Sequence, residues 1–566
     1  MKHFTLLSLF LLSFLPSIKA YDVTTEIQKK NVLIEEFTGI HCGYCPQAHV
    51  ICHNLEEIHQ GKIFSIAVHS GYYAVPASDQ PDYRTADGDE IDAILGTTNE
   101  GRPCGIVNRR TLTLSDGTEA MILGRSMFGS VSRTIIEEDA PVNLLIKADC
   151  DASTRVLNVT VEGYCTAEMP SDKARLSIAM TQDNIVGPQN GSGVGDEYVH
   201  QSMLRDYLTP VLGDEIEVAK GQYFSKSYTY TLPEKIVAPQ TKREVELLLQ
   251  DINLLAFVTE DGKNNVMNIV SAKPKFTNFN LPLSADMSLT ILGKSKKYGF
   301  NYLEVILANR SNEVLSSAQF DLLLNGESQT LNWVGEIAPL AKQIIKIPYD
   351  KAGLQSANTW TLAVVKLNEK DAVRTELSGS FSAPTEATTD ITIAIQTDAY
   401  SDENIYRILD EDGNVIHQFD YPTGVAKLYK EQLTLQPNKA YCFEIIDLCA
   451  DGISRGSYKI NNADGKMIEQ NYAIPDAGYR TFFATTLNVG TDVENLNSEK
   501  LNVVFDISAK NIMSSQVAQI TLYSVAGKLI VSQYGDVLST DNIAPGVYIL
   551  TVVTPQEKLT QKIIVK

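Results

Sequence analysis

Positive charge is scarce in this chain. Its 48 Lys and Arg stand against 69 Asp and Glu, leaving a formal net charge of −21 over 566 residues and a pI near 4.9. A surface of that sign repels phosphate, so nucleic acid and anionic membrane are not expected as partners. Long apolar runs are missing beyond the first twenty residues, so no transmembrane segment is expected in the mature chain. Tyr21 rather than a cysteine stands directly after Ala20, which argues against a lipid anchor there. Cysteine totals only 8, and no motif implies a cofactor.

What is present begins with an address. Met1-Lys2-His3, the apolar stretch Phe4 to Leu15 and the small-residue site Ile18-Lys19-Ala20 read as a secretory signal peptide, too short to span a bilayer. The mature chain is expected to be soluble and exported, where disulfides persist.

The stretch Asn31 to Val50 holds the chemistry. Val32 to Phe37 reads as a short strand, Thr38–Gly39 as a turn, and Cys42 and Cys45 as a Cys-x-x-Cys pair opening a helix. A cysteine at a helix N-terminus has a lowered pKa, because unpaired N–H groups and the helix dipole favour the thiolate. Strand, Cys-x-x-Cys and helix together form the thioredoxin-like redox pattern. Pro103, within Gly101-Arg102-Pro103-Cys104-Gly105, sits where such folds place a cis-proline facing the pair. Cys42 is the expected attacking thiolate, Cys45 the resolving thiol, and Pro103 the shaper of the substrate groove. A structural disulfide is the plainer alternative. A zinc half-site would need further ligands from His41, His49 or His53. Cys52 lies two turns beyond Cys45 and reads as a small buried side chain, and Cys104 is expected beside the pair.

Element order over 21–139 is that of a thioredoxin-like α/β domain, with a strand at Ile63 to Val68, helices at Gly88 to Leu95 and Ser126 to Glu138, and a hairpin turn at Asp116-Gly117. From Pro141 the apolar pattern alternates, predicting a β-sandwich over 140–280 interrupted by a glycine-rich loop from Val186. His200 and Arg205 follow that loop and form either a polar site or a packed loop with a structural histidine. An immunoglobulin-like sandwich is expected over 281–384, with a Ser/Thr/Pro/Ala-rich linker at Ser380 to Thr389. A jelly-roll-like β module then spans 385–490, a linker 491–500, and a tethered β-sandwich 501–566. Short spacing suggests structural disulfides Cys150–Cys165 and Cys442–Cys449. Asp447 and Asp451 could contribute to a calcium site, although Asp-Gly turns have this composition unaided. The expected fold class is multidomain: an N-terminal α/β thioredoxin-like domain followed by several all-β sandwich modules.

Two resemblances attach to these residues. Glu36-Phe37-Thr38-Gly39 with Cys42 and Cys45-Pro46, Gly101 to Arg109, and Tyr198-Val199-His200 with Leu204-Arg205 resemble the Omp28-related outer-membrane proteins. Tyr523 with Gly527-Lys528, Gly546-Val547-Tyr548 and Lys562-Ile563-Ile564-Val565 resemble the type A sorting domain of the type IX (Por) secretion system. The second resemblance implies the type IX machinery as a partner, and export through the periplasm to the outer-membrane surface or the medium. The chain from Cys442 to Gly452 is similar to jelly-roll modules that precede such sorting domains. Function then divides between extracytoplasmic thiol–disulfide exchange with a protein thiol and a non-catalytic surface adhesin that uses the first domain as scaffold.

Overall fold

The computed structural model describes residues 21–485 and 503–565, apart from positions 115, 293–298, 423, 425, 475–476, 507–509, 526 and 555–557. The expected signal peptide and the 491–500 linker lie outside the described residues. The protein is multidomain and mostly β.

The N-terminal segment follows the order β1 (Val32–Thr38), α1 (Cys45–Ile58), β2 (Ile63–His69), α2 (Ala86–Leu95), β3 (Cys104–Val107), a short hairpin and α3 (Phe128–Ile136). β1 is buried along its whole length, as a strand covered on both faces must be. β1 pairs parallel with β2 and antiparallel with β3, Phe37 opposite Cys104. Pro46 fits the first turn of α1, where a missing N–H costs nothing. Thr85 caps α2 by accepting from the Gly88 N–H at 2.9 Å, and Gly96 ends it in the left-handed conformation.

The sheet does not stop near residue 139. Met203 of the strand Met203–Tyr207 pairs parallel with Ala67 of β2, and the sheet continues through Lys173–Gln182, Ile252–Thr259 and Val266–Ala272. One eight-stranded sheet therefore runs through both N-terminal segments. A second, four-stranded sheet carries Val142–Asp151 and Val156–Cys165 and packs on the strands Lys173–Gln182 and Ile252–Thr259 of the first around a shared apolar cluster. A buried ion pair fastens the join. Arg109 donates from Nε and Nη2 to both oxygens of Glu35, at 2.8 and 2.7 Å, and from Nη1 to the Gly262 carbonyl.

Two further modules follow, each of paired sheets around its own apolar cluster, over roughly Ala285–Ser382 and Thr385–Thr485. The linker expected at Ser380 to Thr389 is not one. Lys370–Ser382 is a strand, and Thr385–Ala387 pairs with Gly478–Thr485. Short polar and β-branched residues serve an edge strand as well as a tether. The C-terminal segment forms one five-stranded sheet among the described residues rather than two facing sheets.

The disulfides expected from short spacing do not form, and Cys150, Cys165, Cys442 and Cys449 are all unbonded and buried. In the hairpin, Cys150 lies opposite Leu157 while Cys165 lies opposite Val142. Eight residues of extended strand separate the two, or about 27 Å. Cys442 sits inside the strand Ala440–Asp447 against Phe300 and Phe482, away from the turn that holds Cys449. Cys449 has another use. A Cβ on Gly129 of α3 would lie 1.8 Å from the Cys449 carbonyl oxygen, so this turn is seated directly on the helix. His59 Nε2 at 2.9 Å from the Leu448 carbonyl, and Arg133 paired with Asp402 at 2.9 Å, hold the same contact.

Candidate functional site

Cys42 and Cys45 are joined in a disulfide. α1 begins at Cys45, so Cys42 lies in the turn before the helix rather than in its first turn. Its N–H is taken by the Gly39 carbonyl at 3.0 Å. With both sulfurs in the disulfide, neither is free to act as a zinc-ligating thiolate.

Pro103 follows a cis Arg102–Pro103 bond, and the Phe37–Cys104 register sets it alongside the end of β1, where the Cys-x-x-Cys turn starts. Arg102 anchors this loop by donating to the Thr97 carbonyl at 2.8 Å and to Asp92 at 3.0 Å. Cys104 is a core side chain packed with Leu33, Phe37 and Ile66, and burial pushes its thiol up to about 11. Cys52 is buried in α1, and burial with Glu36 and Glu56 nearby raises its thiol well above the usual range. Neither is a ready nucleophile.

A loop from the following segment covers the disulfide. Gln189 donates its side-chain amide to the carbonyls of Gly39 and Cys42, at 3.3 and 3.0 Å. Asn190 donates its N–H to the Ile40 carbonyl at 2.8 Å. A Cβ on Gly191 would lie 2.0 Å from the Gly43 oxygen, so the backbones touch and only glycine fits. Cys42 is 2% exposed and Cys45 0%. Residues flanking this cover are apolar and open: Tyr44, Tyr72, Val75 and Val194 are all exposed.

Behind the turn lies a polar cluster that the sequence reading only half found. His200 packs among His69, Tyr83, Tyr198 and His49, and Arg205 reaches the same cluster through its charge on His69 and Tyr83 rather than against His200 itself. Ring centroids of His200 stand 5.2 Å from His69, 5.1 Å from Tyr83, 4.9 Å from Tyr198 and 6.4 Å from His49. His49 bridges Thr38 Oγ1 at 2.9 Å and the Tyr198 hydroxyl at 2.8 Å. Burial away from water, with the neighbouring imidazoles and Arg205 opposing further positive charge, favours the neutral imidazoles: His49 falls to about 3, His200 to about 4 and His69 well below its usual value. Glu36, on the face of β1 opposite Glu35, is buried, and desolvation pushes its carboxyl well above the usual range against the opposing pull of Arg102 and Thr38. The legible signal was two glutamates inside an otherwise apolar strand, which demands a partner for each.

At the other candidate site, the Asp447 carboxylate accepts from the backbone N–H groups of Cys449, at 2.9 Å, and Gly452. Its oxygens are used in capping its own turn.

Residues 96–278 match the family of outer membrane protein Omp28, and residues 495–566 match the secretion system C-terminal sorting domain. The chain carries an Omp28-family segment and a C-terminal sorting domain. It is therefore an exported protein of the outer-membrane surface or extracellular space, addressed to the type IX secretion machinery. No helix among the described residues is long and apolar enough to cross a membrane. No curated protein matches. Among solved structures, HBP35 of Porphyromonas gingivalis is 18% identical, with a TM-score of 0.35 over 57% of this chain and 99% of that one. A domain of the Omp28 lipoprotein from Porphyromonas gingivalis is 16% identical, with a TM-score of 0.17 over 25% of this chain and 92% of that one. A Ca2+-stabilised ice-binding adhesin of an Antarctic bacterium is 10% identical, with a TM-score of 0.13 over 74% and 97%. All three scores lie below 0.5.

Proposed function

We propose that this exported Omp28-family protein performs thiol–disulfide exchange at a gated Cys42–Cys45 pair in a thioredoxin-like N-terminal domain. The observation that carries the reading is the Cys42–Cys45 disulfide itself, formed where β1 turns into α1 and alongside the Pro103 loop. In the reduced state Cys42, in the turn before α1, is the attacking thiolate and Cys45, the first residue of α1, the resolving thiol. A substrate disulfide would be cleaved by Cys42 to give a mixed disulfide. Cys45 would then displace the substrate thiolate and re-form the bridge. Pro103 shapes the edge along which the substrate strand lies.

A second reading is favoured by the burial of both sulfurs under Gln189 and Gly191: the bridge is structural and the domain is scaffold for a surface adhesin. The reduction potential separates them. A value of about −120 to −270 mV supports exchange, and one below about −300 mV supports scaffold. Under the exchange reading Cys45→Ser traps a mixed disulfide with a substrate thiol, and Cys42→Ser traps none.

A further inference from the structure

Between α1, the strands β1 and β2, and the strand Tyr198–His200 lies a cavity of about 220 Å³. Glu36, His49, Cys52 and Glu56 line it, and Val50 and Val199 stand at its exposed rim. Both glutamates and His53 line this cavity with no Lys or Arg among the lining residues, and beyond the lining Arg102 acts on Glu36 and Lys342 on Glu56. Glu36 is 2% exposed, and its Oε1 has no hydrogen-bond partner. His49 Nε2 stands 3.4 Å from that oxygen, but the His49 ring is engaged with Thr38 and Tyr198. Glu56 Oε1 accepts from the Ser65 N–H and hydroxyl, at 2.8 and 2.6 Å.

A buried carboxyl oxygen facing an open cavity lacks a donor. The missing partner needs N–H groups, a positive charge to offset the desolvation of the carboxylates, and an apolar stem to lie between Val50 and Val199. A metal ion does not meet the geometry, since no His, Cys, Asp or Glu group among the described residues is placed to hold one. We infer that this cavity binds a primary ammonium group on a short alkyl stem, either a free amine or a lysine side chain, with Glu36 and Glu56 as acceptors. The site stands whether or not the disulfide exchanges.

Binding is linked to protons. Burial holds both carboxyls above their usual range, Glu56 at about 7. An arriving ammonium ion converts protonated carboxyl to carboxylate and releases that proton to solvent. Calorimetric titration of the full chain with n-butylammonium, in two buffers of different ionisation enthalpy, reads affinity and proton release together. Expected are saturable binding that tightens from pH 6 to pH 8, proton release on binding, and no binding of tetramethylammonium, which has no N–H donor. Glu36→Gln and Glu56→Gln each weaken binding about tenfold and reduce the protons released, as loss of one charge-assisted contact should. Val199→Trp, at the exposed rim, blocks entry without touching the core. A lysine-containing tripeptide, blocked at both ends, then assigns the source: binding of both probes means a lysine side chain, and binding of butylammonium alone means a free amine. Absence of saturable butylammonium binding, or binding indifferent to Val199→Trp and to both Glu→Gln changes, overturns the inference.

Discussion

The side-chain amide of Gln189 donates to the backbone carbonyl of Cys42 at 3.0 Å, joining residues 147 apart in the chain. This contact lays a loop of the Omp28-matching segment over the Cys42–Cys45 turn. Gln189→Ala removes the bonds to Gly39 and Cys42 and is expected to raise the rate of reduction by dithiothreitol about fivefold, for about 1 kcal/mol of lost closure. Gly191→Val forces the loop away from Gly43 and should raise it further. Stopped-flow reduction of the two variants checks this; rates equal to the parent mean the loop does not gate the bridge.

Glu35 and Arg109 form a two-pronged ion pair with both side chains fully buried. Removing one partner strands the other charge away from water, at a cost of about 3 to 5 kcal/mol. Glu35→Gln and Arg109→Met should each lower the denaturation midpoint strongly, whereas the double change should cost much less than the sum. Urea unfolding of the four proteins measures the coupling.

The neutral histidines set a pH dependence. His200 and His49 titrate lower in the folded protein than unfolded, because burial opposes the imidazolium. Between about pH 6.5 and 4 the unfolded chain therefore binds the extra protons, and this contribution to stability falls as pH falls, by about 1.4 kcal/mol per pH unit for each group. Glu36 and Glu56 act oppositely: their folded values are raised, so their contribution is full below about pH 4.5 and is lost as pH rises, for Glu56 through about 7. The clean test is a difference. His200→Asn should flatten the stability-against-pH curve between pH 4.5 and 6 by about one proton, and an unchanged slope would mean that His200 is charged in the folded state.

The sorting domain should act as the export address. Deleting residues 501–566 is expected to leave the protein in the periplasm with its Cys42–Cys45 bridge intact. Fractionation and surface proteolysis of intact cells read the outcome; a truncated protein found at the surface would contradict it.

By itself the sequence determined what local pattern can encode. The buried run Val32 to Phe37, Pro46 in the first helical turn, Thr85 before α2 and the alternating strands from Val142 each specify an element from short-range physics. The sorting motifs at Tyr523, Gly546-Val547-Tyr548 and Lys562 are read the same way, from residues close in the chain. Tertiary structure decided everything that depends on register and approach. Spacing of 15 residues suggested that Cys150 and Cys165 meet, but the hairpin register sends them to opposite ends, because pairing is set by which residues face the core. Cys449 was read as a partner for Cys442 and instead seats its turn on Gly129, a contact between segments far apart in sequence. The cover over the disulfide, the His49–His69–His200 cluster and the Glu36 cavity all arise where the strand Met203–Tyr207 joins the edge of β2. No local period records that junction, because its energy comes from burying side chains that meet only after both segments have folded.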